Sequence, residues 1–211
     1  MKKYRSHIII FIIAVFAIYN SVYFKSLDEV VASRESSQFN ASVYTEEFWE
    51  ALTSKLDQAT HLESLAEMLK KDPGTAFRDY SNALGIGNVR FFLVQSTAVI
   101  ASIEEDHMLL MISPGLTIKL ATDYIFGNAV RDASGLIDVN EFTNTMYFNE
   151  VSAKINEHIT REVLPPFVSR VHLGDRIYFV GAIELHKVFY DLEQIEVVPV
   201  HLEIISSADG S

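Results

Sequence analysis

Cysteine is absent from this 211-residue sequence, and glycine and proline are scarce, with 9 and 5 residues. Without a thiol the chain forms no disulfide, offers no thiolate to a metal, has no cysteine nucleophile and carries no lipid on an N-terminal cysteine. The low glycine and proline content excludes collagen-like and low-complexity chains. Because 49% of the residues are apolar, the chain also differs from intrinsically disordered proteins. The composition predicts a folded protein with a hydrophobic core.

Basic residues are also few, since 17 Lys and Arg stand against 28 Asp and Glu and give a net charge of −11. Four of the 17, Lys2, Lys3, Arg5 and Lys25, lie in the first 25 residues, which contain no acidic residue. The rest of the chain therefore has 13 basic and 28 acidic residues and a net charge of −15. Nucleic-acid binding depends on a basic surface that neutralises phosphates, so we expect no nucleic-acid partner.

An apolar run from Ile8 to Phe24 follows the basic N-terminus. As a helix, its 17 residues would span roughly 25 Å, close to a hydrocarbon core of about 30 Å. Basic residues precede the run and acidic residues follow it, so the positive-inside rule places the N-terminus in the cytoplasm. We therefore predict a signal anchor over residues 1–25 that contacts the inner membrane through residues 8–24, and a juxtamembrane linker over 26–43.

This anchor predicts a single-pass inner-membrane protein whose C-terminal domain lies in the periplasm. A cleaved signal peptide is the alternative interpretation, because the small residue Ala17 ends a pattern that signal peptidase accepts. The anchor is favoured because apolar residues continue well past Ala17.

The next segment, residues 44–87, has the pattern of amphipathic helices. Its apolar residues recur every three or four positions from Tyr44 onward. Thr45 stands before two glutamates, which predicts a capping residue with acids in the first helical turn. Asp72-Pro73-Gly74 is a helix stop, and the polar residues before His61 indicate an earlier break. We expect these helices to pack on the domain that follows.

Residues 88–211 read mainly as strands, with one long helix among them. The expected order is three strands, one helix and two strands, which is the element order of an OB-fold. We therefore predict an α+β protein whose OB-like five-stranded β-barrel carries a helix between strands 3 and 4. The predicted strands cover 89–103, 107–112, 117–121, 176–188 and 194–205, and the helix covers 149–164 and ends at Pro165-Pro166.

The densest polar cluster follows the third strand and contains Asn128, Arg131 and Asp132. In one interpretation Arg131, which stands next to Asp132, satisfies carbonyl groups, pairs with another acid through its rigid guanidinium and so fixes the loop. In the other, the amide, guanidinium and carboxylate together hold sugar hydroxyls or a small carboxylate in a cleft. Part of the stretch imitates a calcium loop, but Val130 stands where the first carboxylate ligand belongs. The three polar residues are the candidate ligand-binding site.

Other chemically active residues show no motif spacing. The histidines form neither an HxH nor an HExxH pattern, and no serine lies in a GxSxG turn. We therefore expect no catalytic residue, no metal site and no cofactor, and a protein that is not an enzyme.

Several stretches resemble the family of predicted periplasmic lipoproteins of unknown function that are often encoded beside sugar ABC transporters. The similarity runs from about Leu27 to the C-terminus, and GNAVRDASG (127–135) is its most specific part. The stretches are Leu27 to Val30, Phe48-Trp49, Phe126 to Ile137, Glu141 to Asn144 and Val171 to Ala182. The resemblance implies an exported, membrane-tethered, OB-like barrel with N-terminal helices. Because this chain has no cysteine to lipidate, its tether must be the helix over residues 8–24.

The resemblance also has an implication for the function. It implies an association with sugar uptake, so we expect a membrane-anchored accessory or interaction protein of a carbohydrate ABC transporter. Its partner would be the permease or the solute-binding protein. The alternative is a periplasmic protein that binds a sugar or a small carboxylate through Asn128, Arg131 and Asp132.

Overall fold

The computed structural model describes residues 39–142 and 144–206. The predicted anchor over residues 8–24 and most of the linker over 26–43 lie outside these ranges. No helix within them combines the length and apolarity that a membrane crossing needs. The described residues from Asn40 onward form one compact unit, and its division into a helical segment and an OB-like part stays a prediction.

The first helix, α1 (Ala41–Thr53), begins earlier than predicted. Asn40 has an extended backbone, and its side-chain oxygen accepts hydrogen bonds from two amides of the first turn at 3.0 and 3.2 Å. The prediction that Thr45 caps the helix is wrong. Thr45 is buried one turn inside α1, where its hydroxyl donates to the carbonyl of Ala41 at 2.7 Å. Asn and Thr are both good capping residues, and the extended conformation at Asn40 decides between them.

Two further helices follow a short strand, and the predicted helix breaks are confirmed. The strand β1 (Thr60–His61) leads directly into α2 (Leu62–Lys71). The next helix, α3 (Pro73–Asp79), begins with proline, which needs no amide partner in a first turn. The carboxylate of Asp72 caps it by accepting from the Thr75 amide at 3.1 Å.

Five longer strands form the sheet together with β1. They are β2 (Val89–Ile103), β3 (His107–Ser113), β4 (Leu116–Ala121), β5 (Arg176–His186) and β6 (Glu196–Ser206). Their order is β1-β2-β3-β4-β6-β5, and β2 also pairs with β5. The pairs β1–β2 and β4–β6 are parallel and the others are antiparallel. The predicted mixture of helices and sheet is confirmed, but β1 is a sixth strand that a simple five-stranded barrel lacks.

The main hydrophobic cluster lies on one face of these strands. Alternate residues of β2 contribute to it, because side chains along a strand point to opposite faces. Helices α2 and α3 cover part of this cluster. Its large side chains include Leu62, Leu65, Leu69, Phe77, Phe92, Val94, Ile100, Met108, Leu110, Ile118, Leu120, Ile177, Phe179, Ile183 and Leu185.

Gly181 of β5 allows a close approach to β6. A Cβ atom at this position would lie 2.3 Å from Cγ1 of Val197 and 2.7 Å from the carbonyl oxygen of Val198. The pairing of the two strands shifts between Val180 and Gly181. Any larger residue at this position would push the strands apart.

Between β4 and β5 the chain is helical. It forms α4 (Ala129–Ala133), α5 (Thr145–His158), a π-helical turn (Ile159–Val163) and α6 (Leu164–Val168). The prediction that Pro165-Pro166 ends the helix is wrong, since helical structure continues to Val168. The π-helical turn changes the hydrogen-bond register, so the prolines fall in the first turn of α6, where their missing amide hydrogens need no partner.

Helices α1 and α5 pack together, and Trp49 and His158 stack at this contact. The centroids of the two rings lie 4.3 Å apart. Burial lowers the pKa of His158, although Glu162 opposes this effect. The native structure therefore favours the neutral imidazole.

We expect acid to weaken this contact. The unfolded chain binds a proton at His158 near pH 6.5, whereas the folded chain resists it, so the free energy of unfolding should fall as pH drops through that value. Replacing His158→Phe should reduce this pH dependence, and His61→Phe, at an exposed histidine, is the matched control. Urea unfolding at several pH values, followed by the fluorescence of Trp49, the chain's one tryptophan, measures the free energy of unfolding of both variants. Equal pH dependence in the wild-type and His158→Phe proteins would contradict this expectation.

Candidate functional site

The predicted polar cluster lies on α4 and the turn before it. Gly127 has a positive φ of 86°, which suits glycine and turns the chain into the helix. The side chain of Asn128, the residue before α4, donates to the carboxylate of Asp132 at 2.5 Å. The backbone amide of Asp132 donates to the Asn128 carbonyl at 2.9 Å. Two hydrogen bonds therefore hold the ends of this short helix together.

Arg131 and Asp132 form a buried ion pair. Nε of Arg131 donates to Oδ1 of Asp132 at 2.6 Å, and the two side chains are 6% and 4% exposed. Since Asn128 bonds the second carboxylate oxygen, both oxygens of Asp132 are occupied. Buried charges are tolerated where they are paired and hydrogen-bonded in this way.

The guanidinium of Arg131 also connects α4 to α5. It lies over the ring of Phe148, with Cζ 3.5 Å from the ring centroid. Its Nη1 donates to the hydroxyl of Ser152 at 2.8 Å. One side chain thus makes an ion pair, a cation–π contact and a hydrogen bond between helices. This arrangement supports the first interpretation of the sequence, in which Arg131 fixes the loop.

An open cleft of about 770 Å³ lies between the turn before α4 and the exposed side of α5. Asn156 joins its two walls by donating to the Gly127 carbonyl at 3.0 Å. Phe126, which is 79% exposed, lies at the cleft. Amide, hydroxyl and guanidinium groups line the cleft, contributed by Asn128, Arg131, Asn149, Ser152, Asn156 and Thr160.

The charged groups of this cleft are already paired. Arg131 pairs with Asp132, and Arg161 reaches Glu157 at 2.8 Å. A hydrogen bond from Lys154, followed by the charges of Arg161 and Lys154, lowers the pKa of Glu157. Glu157 is therefore a stable carboxylate and a weak proton acceptor.

Two of the three candidate residues line this cleft. Asn128 and Arg131 do so, whereas Asp132, whose two oxygens are occupied, lines a different cleft that Asn128 and Arg131 also line. The α5 residues of the cleft were not predicted. A signal for them exists, because Asn149, Ser152 and Asn156 recur every three or four positions and so share one polar face of the helix, and Thr160 of the π-helical turn continues this spacing.

The described residues offer little to a metal. Within residues 39–142 and 144–206, no group of three or more His, Asp or Glu side chains is arranged to hold a metal ion. The carboxylate of Asp132, which the calcium-loop pattern would use, is bound to Arg131 and Asn128 instead.

We expect the ion pair to contribute strongly to stability. Asp132→Ala leaves Arg131 buried without its partner, which should lower the free energy of unfolding by about 3–5 kcal/mol. Asp79→Ala is a matched control, because Asp79 pairs with the neighbouring Arg78 in the same way at 2.7 Å but in an exposed position; exposed pairs contribute little. Urea unfolding measures the free energy of unfolding of both variants and of the wild-type protein.

A double variant tests the coupling between the two charges. Combining Asp132→Ala with Arg131→Met removes both charges, so its cost should be smaller than the sum of the single costs. Additive costs, or a harmless Asp132→Ala, would show that the pair does not stabilise α4.

Comparison with known proteins identifies the family and the fold. A family model described as "Predicted periplasmic lipoprotein (DUF2291)" matches residues 12–203. The chain is similar to the crystal structure of an OB-fold protein from Thermotoga maritima, with a TM-score of 0.72 and 22% identity over 80% of this chain and 99% of that one. No curated protein matches the sequence.

The structural similarity shows an OB-type fold, and the family description supports a periplasmic location. The family match covers nearly the whole chain, including the GNAVRDASG stretch that begins at Gly127. The protein therefore belongs to the family of predicted periplasmic lipoproteins.

Proposed function

We propose that this protein is a non-enzymatic accessory module of the periplasm that binds a small, uncharged, hydroxyl-rich ligand, such as a sugar, between α4 and α5. The open cleft of about 770 Å³ beside Asn128 and α5 carries this proposal. Its volume is in the range of small-molecule sites, which combine apolar surface with a few placed polar groups.

The chemistry of the walls favours hydroxyl groups. Asn149 and Asn156 each offer an amide donor and a carbonyl acceptor, which is the pairing that a hydroxyl needs. Each cation of the cleft already has a carboxylate partner, Asp132 for Arg131 and Glu157 for Arg161. An anionic ligand would have to displace one of these partners, whereas a neutral ligand would not. The exposed ring of Phe126 adds an apolar surface for the carbon face of such a ligand.

A binding role fits these groups better than catalysis does. Asp132 is held by Arg131 and Asn128, and Glu157 is stabilised as a carboxylate by its basic neighbours. General acid–base catalysis works best with a group whose pKa lies near the working pH. The lowered pKa of Glu157 works against this role.

Removing the aromatic surface should weaken binding. We expect neutral sugars, tested as a panel of mono- and disaccharides, to raise the melting temperature of the full-length protein. Phe126→Ala should weaken the affinity of the best sugar by about tenfold, the ratio that corresponds to 1.4 kcal/mol. The matched control is Tyr124→Ala, because Tyr124 is 74% exposed but does not line the cleft.

Calorimetric titration of both variants and of the wild-type protein with the best sugar measures this affinity. Equal losses in the two variants would contradict a site at this cleft. Binding of citrate in place of sugars would contradict the preference for uncharged ligands, and no response to any sugar would reject the ligand class.

We further propose that residues 8–24 hold this module at the inner membrane, as a single-pass anchor. A tether confines the module to the membrane surface and raises its effective concentration there, so a weak contact suffices. The permease or the solute-binding protein of a carbohydrate ABC transporter works at the same surface. This part of the proposal rests on the apolar run and on the family resemblance.

The size of the mature protein tests the anchor. We expect the protein isolated from the cell envelope to retain the residues before Ile18 and to remain with the membrane fraction in high salt. Intact-mass measurement and membrane fractionation give the answer. Ala17→Leu is the control, because it blocks the alternative cleavage after Ala17. A mature chain that begins at Ile18, and a longer one in Ala17→Leu, would establish a signal peptide instead.

A further inference from the structure

A second cleft of about 620 Å³ lies where α3 meets the adjoining ends of β2 and β5. Three cationic side chains line it: Arg78 from α3, Arg90 from β2 and Lys187 from the residue after β5. Among the described residues that line this cleft there is no Asp or Glu. This composition stands out in a chain with 28 acidic and 17 basic residues.

The pairing of β2 with β5 brings two of these cations together. Arg90 lies opposite Leu185, and the backbone amide of Lys187 donates to the carbonyl of Asn88 at 2.7 Å. Opposed residues of antiparallel strands share a face, as do alternate residues of one strand. Arg90 and Lys187 are therefore on the face that buries Leu185, just beyond the end of the core.

Structural roles account for only part of this positive charge. Arg78 pairs with Asp79 through two hydrogen bonds of 2.7 and 3.0 Å. Arg90 donates through Nη1 to the carbonyls of Gly87 and Val89, at 3.0 and 2.9 Å. Within residues 39–142 and 144–206, neither Arg90 nor Lys187 has a carboxylate within 4.0 Å. Among the described residues, two positive charges thus have no carboxylate partner, and they lie beside a third.

The two uncharged polar side chains of the cleft, Ser81 and Asn82, each make a hydrogen bond within the protein. Ser81 donates its hydroxyl hydrogen to the carbonyl of Phe77, and the amide of Asn82 donates to the carbonyl of Ala133 at 2.9 Å. Recognition of a ligand here would therefore depend on Arg90 and Lys187, assisted by Arg78. Arginine matches the oxygens of a phosphate with its planar fork, and lysine adds a point charge.

We propose that this cleft binds a phosphate monoester, either on a small metabolite or on a lipid headgroup. A phosphate monoester carries about −1.5 to −2 charges at neutral pH, which matches the two uncompensated cations, whereas a single carboxylate matches one. The site is separate from the sugar cleft between α4 and α5, so each proposal stands or fails independently.

Titration of the full-length protein at low ionic strength tests this site. Inorganic phosphate and a sugar phosphate are the soluble probes, and vesicles with and without phosphatidic acid are the membrane probes. Lys187→Gln should weaken phosphate binding by about tenfold, as expected for the loss of a hydrogen bond to a charged group. Lys187→Arg should retain most of the affinity. Lys55→Gln removes an exposed lysine outside the cleft and should have no effect.

Each result has a defined meaning. Loss of affinity in Lys187→Gln together with retention in Lys187→Arg and Lys55→Gln supports the site, and the stronger class of probe identifies the ligand's source. Equal affinity in the wild-type and Lys187→Gln proteins, or no binding of any phosphate probe, overturns it. Lys187 is exposed and makes no side-chain hydrogen bond within the described structure, so this variant should fold normally. Phe126→Ala should leave phosphate binding unchanged, which distinguishes this site from the sugar cleft.

Discussion

The double pairing of β2 is the constraint on which the rest of the structure depends. Residues 89–99 pair with β5, and residues 99–103 pair with β3. The strand β2 therefore connects β5 with β3 in the sheet. Because successive side chains along β2 point to opposite faces, the pairing assigns each of them to one face. Phe92 and Val94 enter the core, whereas Phe91 is buried outside that cluster, and α4 packs on β2 and β5. A shift of one residue would exchange these faces and would displace both clefts.

The two clefts differ in how their charges are paired, and this difference separates the ligands that we propose for them. In the cleft between α4 and α5, Arg131 is buried against Asp132 and serves to join the helices. The polar groups that remain are mostly amides and hydroxyls. In the cleft beside α3, Arg90 and Lys187 have no acidic partner within the described structure. Charge compensation, more than the type of residue, distinguishes the cleft proposed for neutral ligands from the cleft proposed for anions.

The parts of the fold that local patterns govern were predictable. The strand over 89–103 was predicted to the residue, because β-branched and aromatic residues fill it between clear turn signals. A structural role for Arg131 was one of the two interpretations, but the predicted partner was another acid, whereas the structure pairs Arg131 with the adjacent Asp132. Features that depend on the register of the helical hydrogen bonds were not predictable from the sequence. The π-helical turn at Ile159–Val163 moves Pro165 into a position that tolerates proline, and no local pattern signals that turn.

Contacts between distant segments could not be predicted from the sequence for a different reason. Arg131 meets Phe148 and Ser152 because α4 and α5 pack together, and Arg90 meets Lys187 through the pairing of β2 with β5. Either contact requires the topology to be known first. The polar face of α5 is an exception, because its spacing could have been recognised and was not.

The shape of the basic cleft bears on nucleic-acid binding, which many OB-folds perform. Binding of a single strand requires a positive groove that follows several phosphates, with aromatic side chains on which bases stack. Here the uncompensated cations Arg90 and Lys187 share one cleft of about 620 Å³, whose aromatic residue, Phe77, is 6% exposed. The rest of the chain is strongly acidic, so phosphates beyond the first would meet repulsion. The absence of an oligonucleotide partner therefore stays a prediction from the charge distribution, and fold similarity alone does not override this electrostatic argument.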